Sequence, residues 1–234
     1  MLKLISLKIC PFVQRVAALM EAKKVPYEIE YIDFDNLPAW FSDVSPNAQV
    51  PVLITESGQA LFESEAIIEY LDEIHPPLES ELSAEQKAVD RAWSYQANNL
   101  YLPQCSTMRS PDKETLAERA EKLSKAFDKV EKQLGDGPFF KGDTLSNIDI
   151  AWLPVLHRSA IINENAGYDF LAKHPKVKAW RNSLMQTDIV EKSVADDFDD
   201  IFKGFYLSDS TYLGAGENCD ITSDTSSCSA ASCG

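Results

Sequence analysis

The sequence predicts an α/β unit followed by an all-α unit. Three observations predict it. Over residues 2–75, short apolar or alternating runs trade places with amphipathic stretches, giving the order βαβαββα. His75-Pro76-Pro77-Leu78 then stops any helix, because consecutive prolines offer no N–H and clash with the preceding turn. Beyond that point the apolar residues recur only at helical spacing. The expected boundaries are 1–76 for the α/β unit, 77–83 for a linker, 84–207 for the helical unit and 208–234 for a tail.

Leu2–Leu7 reads as a short buried strand. Residues 11–24 place Phe12, Val13, Val16, Ala17, Leu19 and Met20 on one helical face, with Gln14, Arg15, Glu21 and Lys24 elsewhere. Tyr27–Ile32 opens with period-two alternation, and a helix joining two strands makes them parallel. Pro38-Ala39-Trp40-Phe41 starts a short irregular helix that ends near Ser45-Pro46-Asn47. Val50–Ile54 is a strand with Pro51 near its start, where a missing ladder donor is tolerated. Ser57-Gly58 is a hairpin-type turn into the return strand Ala60–Phe62. Ser64 is the expected cap of the next helix, with Ile67, Ile68 and Leu71 facing inward.

In residues 113–134, Leu116, Ala120, Leu123, Phe127, Val130 and Leu134 recur at spacings of three and four. Gly135-Asp136-Gly137-Pro138 ends that helix. Ser146 as N-cap with Asp149 at N3 opens the next, with Leu145 and Ile150 as a hydrophobic staple. Pro154 inside this helix is expected to kink it. Val177, Trp180 and Leu184 mark a further helix, and Phe198–Tyr206 a last one. Residues 208–234 hold no Lys or Arg and are dominated by Ser, Thr, Gly, Asp and Cys, so disorder or loose attachment is expected there.

The formal net charge of −15 argues against a nucleic-acid or anionic-membrane partner, since neither attracts a polyanion. Lys3 and Lys8 interrupt any secretory apolar region, and no apolar run approaches a membrane span. Five cysteines, an odd count, fit a reducing cytoplasm better than a disulfide framework. His75, His157 and His174 lack metal-ligand spacing, so neither a metal nor a nucleotide is expected.

Chemistry concentrates at Ile9-Cys10-Pro11-Phe12-Val13-Gln14-Arg15. Proline is favoured at the first helical position, so Cys10 falls at a helix N-terminus beside unpaired N–H groups and the positive dipole end. A thiolate is stabilised there, and the thiolate is the reactive form.

Cys10-Pro11-Phe12 with Gln14-Arg15-Val16, Pro38-Ala39-Trp40, Val50-Pro51-Val52-Leu53 and Glu63-Ser64 resemble the glutathione transferase superfamily, specifically its cysteine-type omega and lambda classes. The likeness covers nearly all of residues 1–207. It implies a thioredoxin-like N-terminal domain, a helical-bundle C-terminal domain, a homodimer, and glutathione as co-substrate. It also implies that Cys10 forms a mixed disulfide with glutathione and that Phe12 lines the site. Val50 would bind the cysteinyl part through its backbone before a cis Pro51, and Glu63 and Ser64 would hold the γ-glutamyl end. Tyr101, Met108, Arg109 and Phe198 are the candidates for a second-substrate site.

Two positions depart from the pattern. Leu37 stands where omega-type relatives place a lysine, and Val13 removes a Cys-x-x-Cys pair. Without a resolving cysteine, a second glutathione has to release the mixed disulfide, which points to monothiol exchange, deglutathionylation or reduction of small electrophiles. Cys219, Cys228 and Cys233 in the tail match no zinc template; a tethered thiol that resolves Cys10 is the functional alternative to incidental thiols. A non-catalytic binding or regulatory protein on the same fold is the rival reading. A chloride-channel-like membrane-inserting protein shares the Cys-Pro-Phe start, but no long apolar segment supports it.

Overall fold

The structure, a computed structural model, describes residues 1–80 and 82–215. The first unit comprises β1 (Leu2–Ser6), α1 (Pro11–Ala22), β2 (Tyr27–Tyr31), α2 (Phe41–Val44), β3 (Val52–Ile54), β4 (Ala60–Phe62) and α3 (Ser64–Ile74), with a 3-10 turn at Phe34–Asn36. The second comprises α4 (Ala84–Asn98), α5 (Tyr101–Met108), α6 (Lys113–Gln133), α7 (Asn147–Ala166), α8 (Pro175–Met185), α9 (Asp188–Lys192), α10 (Phe198–Tyr206) and α11 (Tyr212–Ala215).

The strands form one sheet in the order β2-β1-β3-β4. β1 and β2 run parallel, from Leu2↔Tyr27 to Ser6↔Tyr31, which the α1 crossover requires. β3 is antiparallel to both neighbours, pairing Leu53 with Leu4 and with Leu61. The fold is therefore a thioredoxin-like α/β domain followed by an all-helical domain. The central strands bury Leu4, Ile5, Val52 and Leu53 against α1 and α3.

α1 is buried on more than its apolar face. It packs against α7, α3 and α9 and shares a core with the sheet, so Gln14 and Arg15, set apart from the apolar face by periodicity, are both buried. Their polar groups are paired: Arg15 Nη1 donates to Glu65 Oε1 of α3, and Gln14 Nε2 lies 2.9 Å from His157 Nδ1 of α7. α7 is the central helix of the molecule. Its Ile150 and Leu153, with Ile189 and Val190 of α9, complete the core of the first unit. Asp149 anchors its start, accepting from Ser146 N (2.8 Å), Ser146 Oγ (2.6 Å), Phe140 N (2.8 Å) and Trp180 Nε1 (2.7 Å). Leu145 and Ile150, the expected staple pair, belong to the same cluster. α7 runs from Asn147 to Ala166 with Pro154 inside it.

Three expectations change. Strand pairing in β3 begins at Val52, so Val50 and Pro51 precede the ladder. Ser64 is the first residue of α3 and Glu63 is the cap, at φ 67. One residue alone separates β4 from α3, and it makes the turn with a positive φ, uncommon for a non-glycine residue. Phe198–Tyr206 is not the last helix, since folded structure continues past Leu207. Thr211 is buried and donates to Tyr206 O at 2.9 Å; Tyr212 N donates to Ser110 O at 2.8 Å; Leu213 joins the helical core. A Cβ at Gly214 would lie 2.2 Å from the Leu207 carbonyl carbon, so only glycine lets this polar segment fold back. Cys219, Cys228 and Cys233 lie outside the described residues.

Candidate active site

Cys10 ends the loop after β1 and occupies the N-cap of α1, with extended backbone (φ −74, ψ 123) and Pro11 as the next residue. Its N–H donates to Leu7 O at 3.2 Å, and its carbonyl accepts from Gln14 N at 3.1 Å as the first turn closes. The residue is 3% exposed. Burial raises a thiol's pKa, and the amides and dipole at a helix start lower it.

A cleft opens beside this helix start. It is lined by Phe12 from α1, Val50 and Pro51 from the loop before β3, and Glu63 and Ser64 at the start of α3. All five residues expected at a glutathione site are thus brought together. The Val50–Pro51 peptide is cis. Because the ladder starts two residues later, the Val50 peptide edge faces a space that an extended ligand can pair with. Glu63 is exposed and holds a conformation that costs a non-glycine residue about 1–3 kcal/mol. Ser64 brings the N-terminus of an eleven-residue helix to the cleft wall.

The cleft has further polar walls that motif reading missed. Asn47 and Gln49 come from the loop containing Ala48, which is at φ 52, and Asn47 Nδ2 lies 3.4 Å from Glu63 Oε1. Asn98, at the end of α4, reaches the cleft from the helical unit, with its Oδ1 buried and unpartnered. The signal available was a polar residue, Asn98, at the C-terminal end of a helix that meets the first domain. No Lys or Arg lines the cleft among the described residues. Leu37 is exposed beside the 3-10 turn, and Lys8, the candidate substitute for the missing lysine, is bound to Asp197 at 2.6 Å.

The second-substrate candidates do not assemble. Tyr101, Met108 and Phe198 are buried in the helical core, and Arg109 alone is exposed, its guanidinium 4.5 Å from the Phe205 ring. Tyr101 meets Phe12 edge-on at 5.0 Å and donates its hydroxyl to Ala151 O. Burial pushes its phenol well above the usual range, so it stays protonated. Apolar residues at helical spacing were core residues here, and spacing alone does not separate the two roles. Beneath the site, His157 stacks on Phe198 at 5.3 Å, and burial, then Arg158, pushes its imidazole down to about 3. Among the described residues no cluster of His, Cys, Asp or Glu could hold a metal ion, and no helix is long and apolar enough to cross a membrane.

Residues 9–74 match the family described as glutathione S-transferase, N-terminal domain, and residues 70–188 match glutathione S-transferase, C-terminal domain. The chain belongs to the glutathione S-transferase superfamily. The chain is 32% identical to glutathione S-transferase omega-1 of Rattus norvegicus over 197 residues, covering 82% of this chain and 79% of the relative. It is 33% identical to glutathione S-transferase L3 of Arabidopsis thaliana over 186 residues, covering 77% and 76%. A rice glutathione transferase solved in complex with glutathione superposes with a TM-score of 0.74 at 24% identity, over 88% of this chain and 98% of that one. At that identity the likeness shows the fold. The cysteine-type omega and lambda classes named from the motifs are among those this chain is similar to, together with the DHAR class.

Proposed function

We propose that this transferase works by glutathione-dependent thiol transfer through Cys10. The observation that carries the reading is the placement of Cys10 at the start of α1, two residues before Phe12, which lines a cleft together with Val50, Pro51, Glu63 and Ser64. An α-ammonium finds the Glu63 carboxylate; its carboxylate finds Ser64 and the open N–H groups of α3; the cysteinyl peptide pairs with Val50. Phe12 bounds the apolar side. With no Lys or Arg on the cleft wall among the described residues, Asn47 and Gln49 supply amide donors for the glycyl carboxylate. The proposed pose turns the glutathione sulfur toward the α1 start that carries Cys10.

In the reaction, the Cys10 thiolate attacks the glutathionyl sulfur of a mixed disulfide. One S–S bond forms, one breaks, and the substrate leaves as a thiolate that takes a proton. A second glutathione thiolate then attacks the Cys10 mixed disulfide, releasing glutathione disulfide and restoring the Cys10 thiolate. Position 13 is Val13, so no neighbouring thiol in that turn competes with glutathione for the second step. Tyr101, held protonated and bonded to a backbone carbonyl, takes no proton in this scheme. A reducing, cytoplasmic setting supplies the second glutathione, and a homodimer is the assembly proposed.

Turnover of a glutathionylated peptide in excess glutathione tests the reading. The parent releases the peptide thiol catalytically, and Cys10→Ser falls to the uncatalysed rate. If Cys10→Ser keeps the parent's rate, the thiol is not the nucleophile and a binding role on the same fold takes its place.

A further inference from the structure

Arg158 of α7 is 0% exposed and holds the turn that carries Cys10. Its Nη2 donates to Ile9 O at 2.9 Å, the carbonyl of the peptide whose nitrogen belongs to Cys10. Its Nη1 donates to Gln14 Oε1 in the first turn of α1 and to Pro154 O at 3.1 Å. One guanidinium from the helical domain therefore grips the chain on both sides of the cysteine. It lies 5.6 Å from the Phe198 ring, and its Nε–H has no acceptor.

Among the described residues no carboxylate lies within ion-pair distance of Arg158. The neighbouring ionisable groups Arg15, Lys8, His157 and Tyr101 are paired or neutral. Arg15 is paired with Glu65 from α3, and Lys8 with Asp197 beside α10. His157 is neutral, its imidazole pushed down by burial, and Tyr101 from α5 is a neutral phenol. A buried guanidinium without an anion is costly, and a structure that keeps one gains when a negative charge forms nearby. The group that becomes negative here is the Cys10 sulfur.

We propose that Arg158 is a positioning residue for Cys10: from the helical domain it fixes the Ile9–Cys10 peptide and supplies the buried positive charge that favours the thiolate. Reactivity at the first domain is thereby conditional on its docking to the second. The proposal rests on Cys10 being the reactive thiol.

The test is the pH profile of Cys10 alkylation, followed on the Cys10 peptide by mass spectrometry, in the parent, Arg158→Gln and Arg158→Lys. Gln keeps donors and loses the charge; Lys keeps the charge and loses the fork. The expected result is that R158Q moves the Cys10 profile up by about one unit, slowing alkylation about tenfold at pH 6, and that R158K moves it less than half as far. The two variants are compared at matched folded fraction by urea titration. If R158Q proves unfolded, Arg158→Met replaces it with the same expectation, and R158K still has to move the profile less than half as far. An unchanged profile in the neutral variant, or equal displacement in R158K, overturns the proposal and leaves Arg158 a packing residue. A parent profile already at an ordinary thiol's 8.5, with turnover retained in C10S, instead overturns the reading on which it rests.

Discussion

His157 makes stability depend on pH, and the size of the effect follows from its surroundings. The ring is buried between Phe198 and Gln14, where protonation would put a second cation beside Arg158. Its value falls from 6.5 to about 3 on folding. The unfolded chain therefore binds more protons than the native chain between those values, so stability rises with pH across that window. It is fully present above about 6.5 and is lost as pH falls toward 3. At pH 5 the unfolded imidazole lies about 1.5 units below its midpoint, which at 1.36 kcal/mol per unit makes the native state about 2 kcal/mol less stable than at pH 8. The perturbation is His157→Asn, whose amide stands near the place of Nδ1 and can still meet Gln14 but does not titrate. Urea denaturation at pH 5, 6, 7 and 8 in both proteins isolates the residue, because every other group is common to the two. The parent is expected to lose about 2 kcal/mol more than the variant between pH 8 and pH 5. Parallel pH dependences would show that the imidazole is not held neutral by burial, and the picture of a neutral ring beside one uncompensated cation would fail with it.

Two further substitutions separate stability from function. Glu63→Gly relieves the left-handed backbone at φ 67 and, after the entropy a glycine adds to the unfolded chain, is expected to stabilise by up to about 1 kcal/mol in urea titration. The same variant loses the carboxylate for the ammonium, so glutathione affinity by calorimetry drops at least about tenfold. Lower stability with unchanged affinity would contradict both halves. Asp149→Ala strips four donors of one buried acceptor, the amides of Ser146 and Phe140, the Ser146 hydroxyl and the Trp180 indole. A loss of about 3–5 kcal/mol is expected, and a urea midpoint corresponding to under 1 kcal/mol would show that these bonds are replaced.

What could be read from the sequence was local. The order of strands and helices followed from period-two and period-three-to-four spacing in segments such as Tyr27–Tyr31 and Lys113–Gln133. Cys10 before Pro11 was legible as a helix start for the same reason: capping is settled by neighbours in the chain. Gln14, Arg15 and Arg158 were not legible as buried residues. Their partners lie as far as 149 positions away: docking of α7 on α1 brings Gln14 and Ile9 to Arg158, and packing of α3 beside α1 brings Glu65 to Arg15. Tyr101, Met108 and Phe198 show the converse, since helical spacing marks an inward face without saying whether a cleft or a core lies there. Glu63 took the cap from Ser64 because the hairpin's return strand ends one residue before α3, a spatial constraint that propensity does not carry. Composition likewise misjudged residues 208–215, whose folding depends on Gly214 and on the Ser110 carbonyl of a distant helix end.

The most direct measurement is the intact mass of the parent and of Cys10→Ser after incubation with oxidised glutathione, before and after addition of reduced glutathione. Thiol transfer through Cys10 predicts one glutathionyl group on the parent at the Cys10 peptide, its removal by reduced glutathione, and no adduct at position 10 in the variant. An unmodified parent, or an adduct carried equally by the variant at another cysteine, would contradict it.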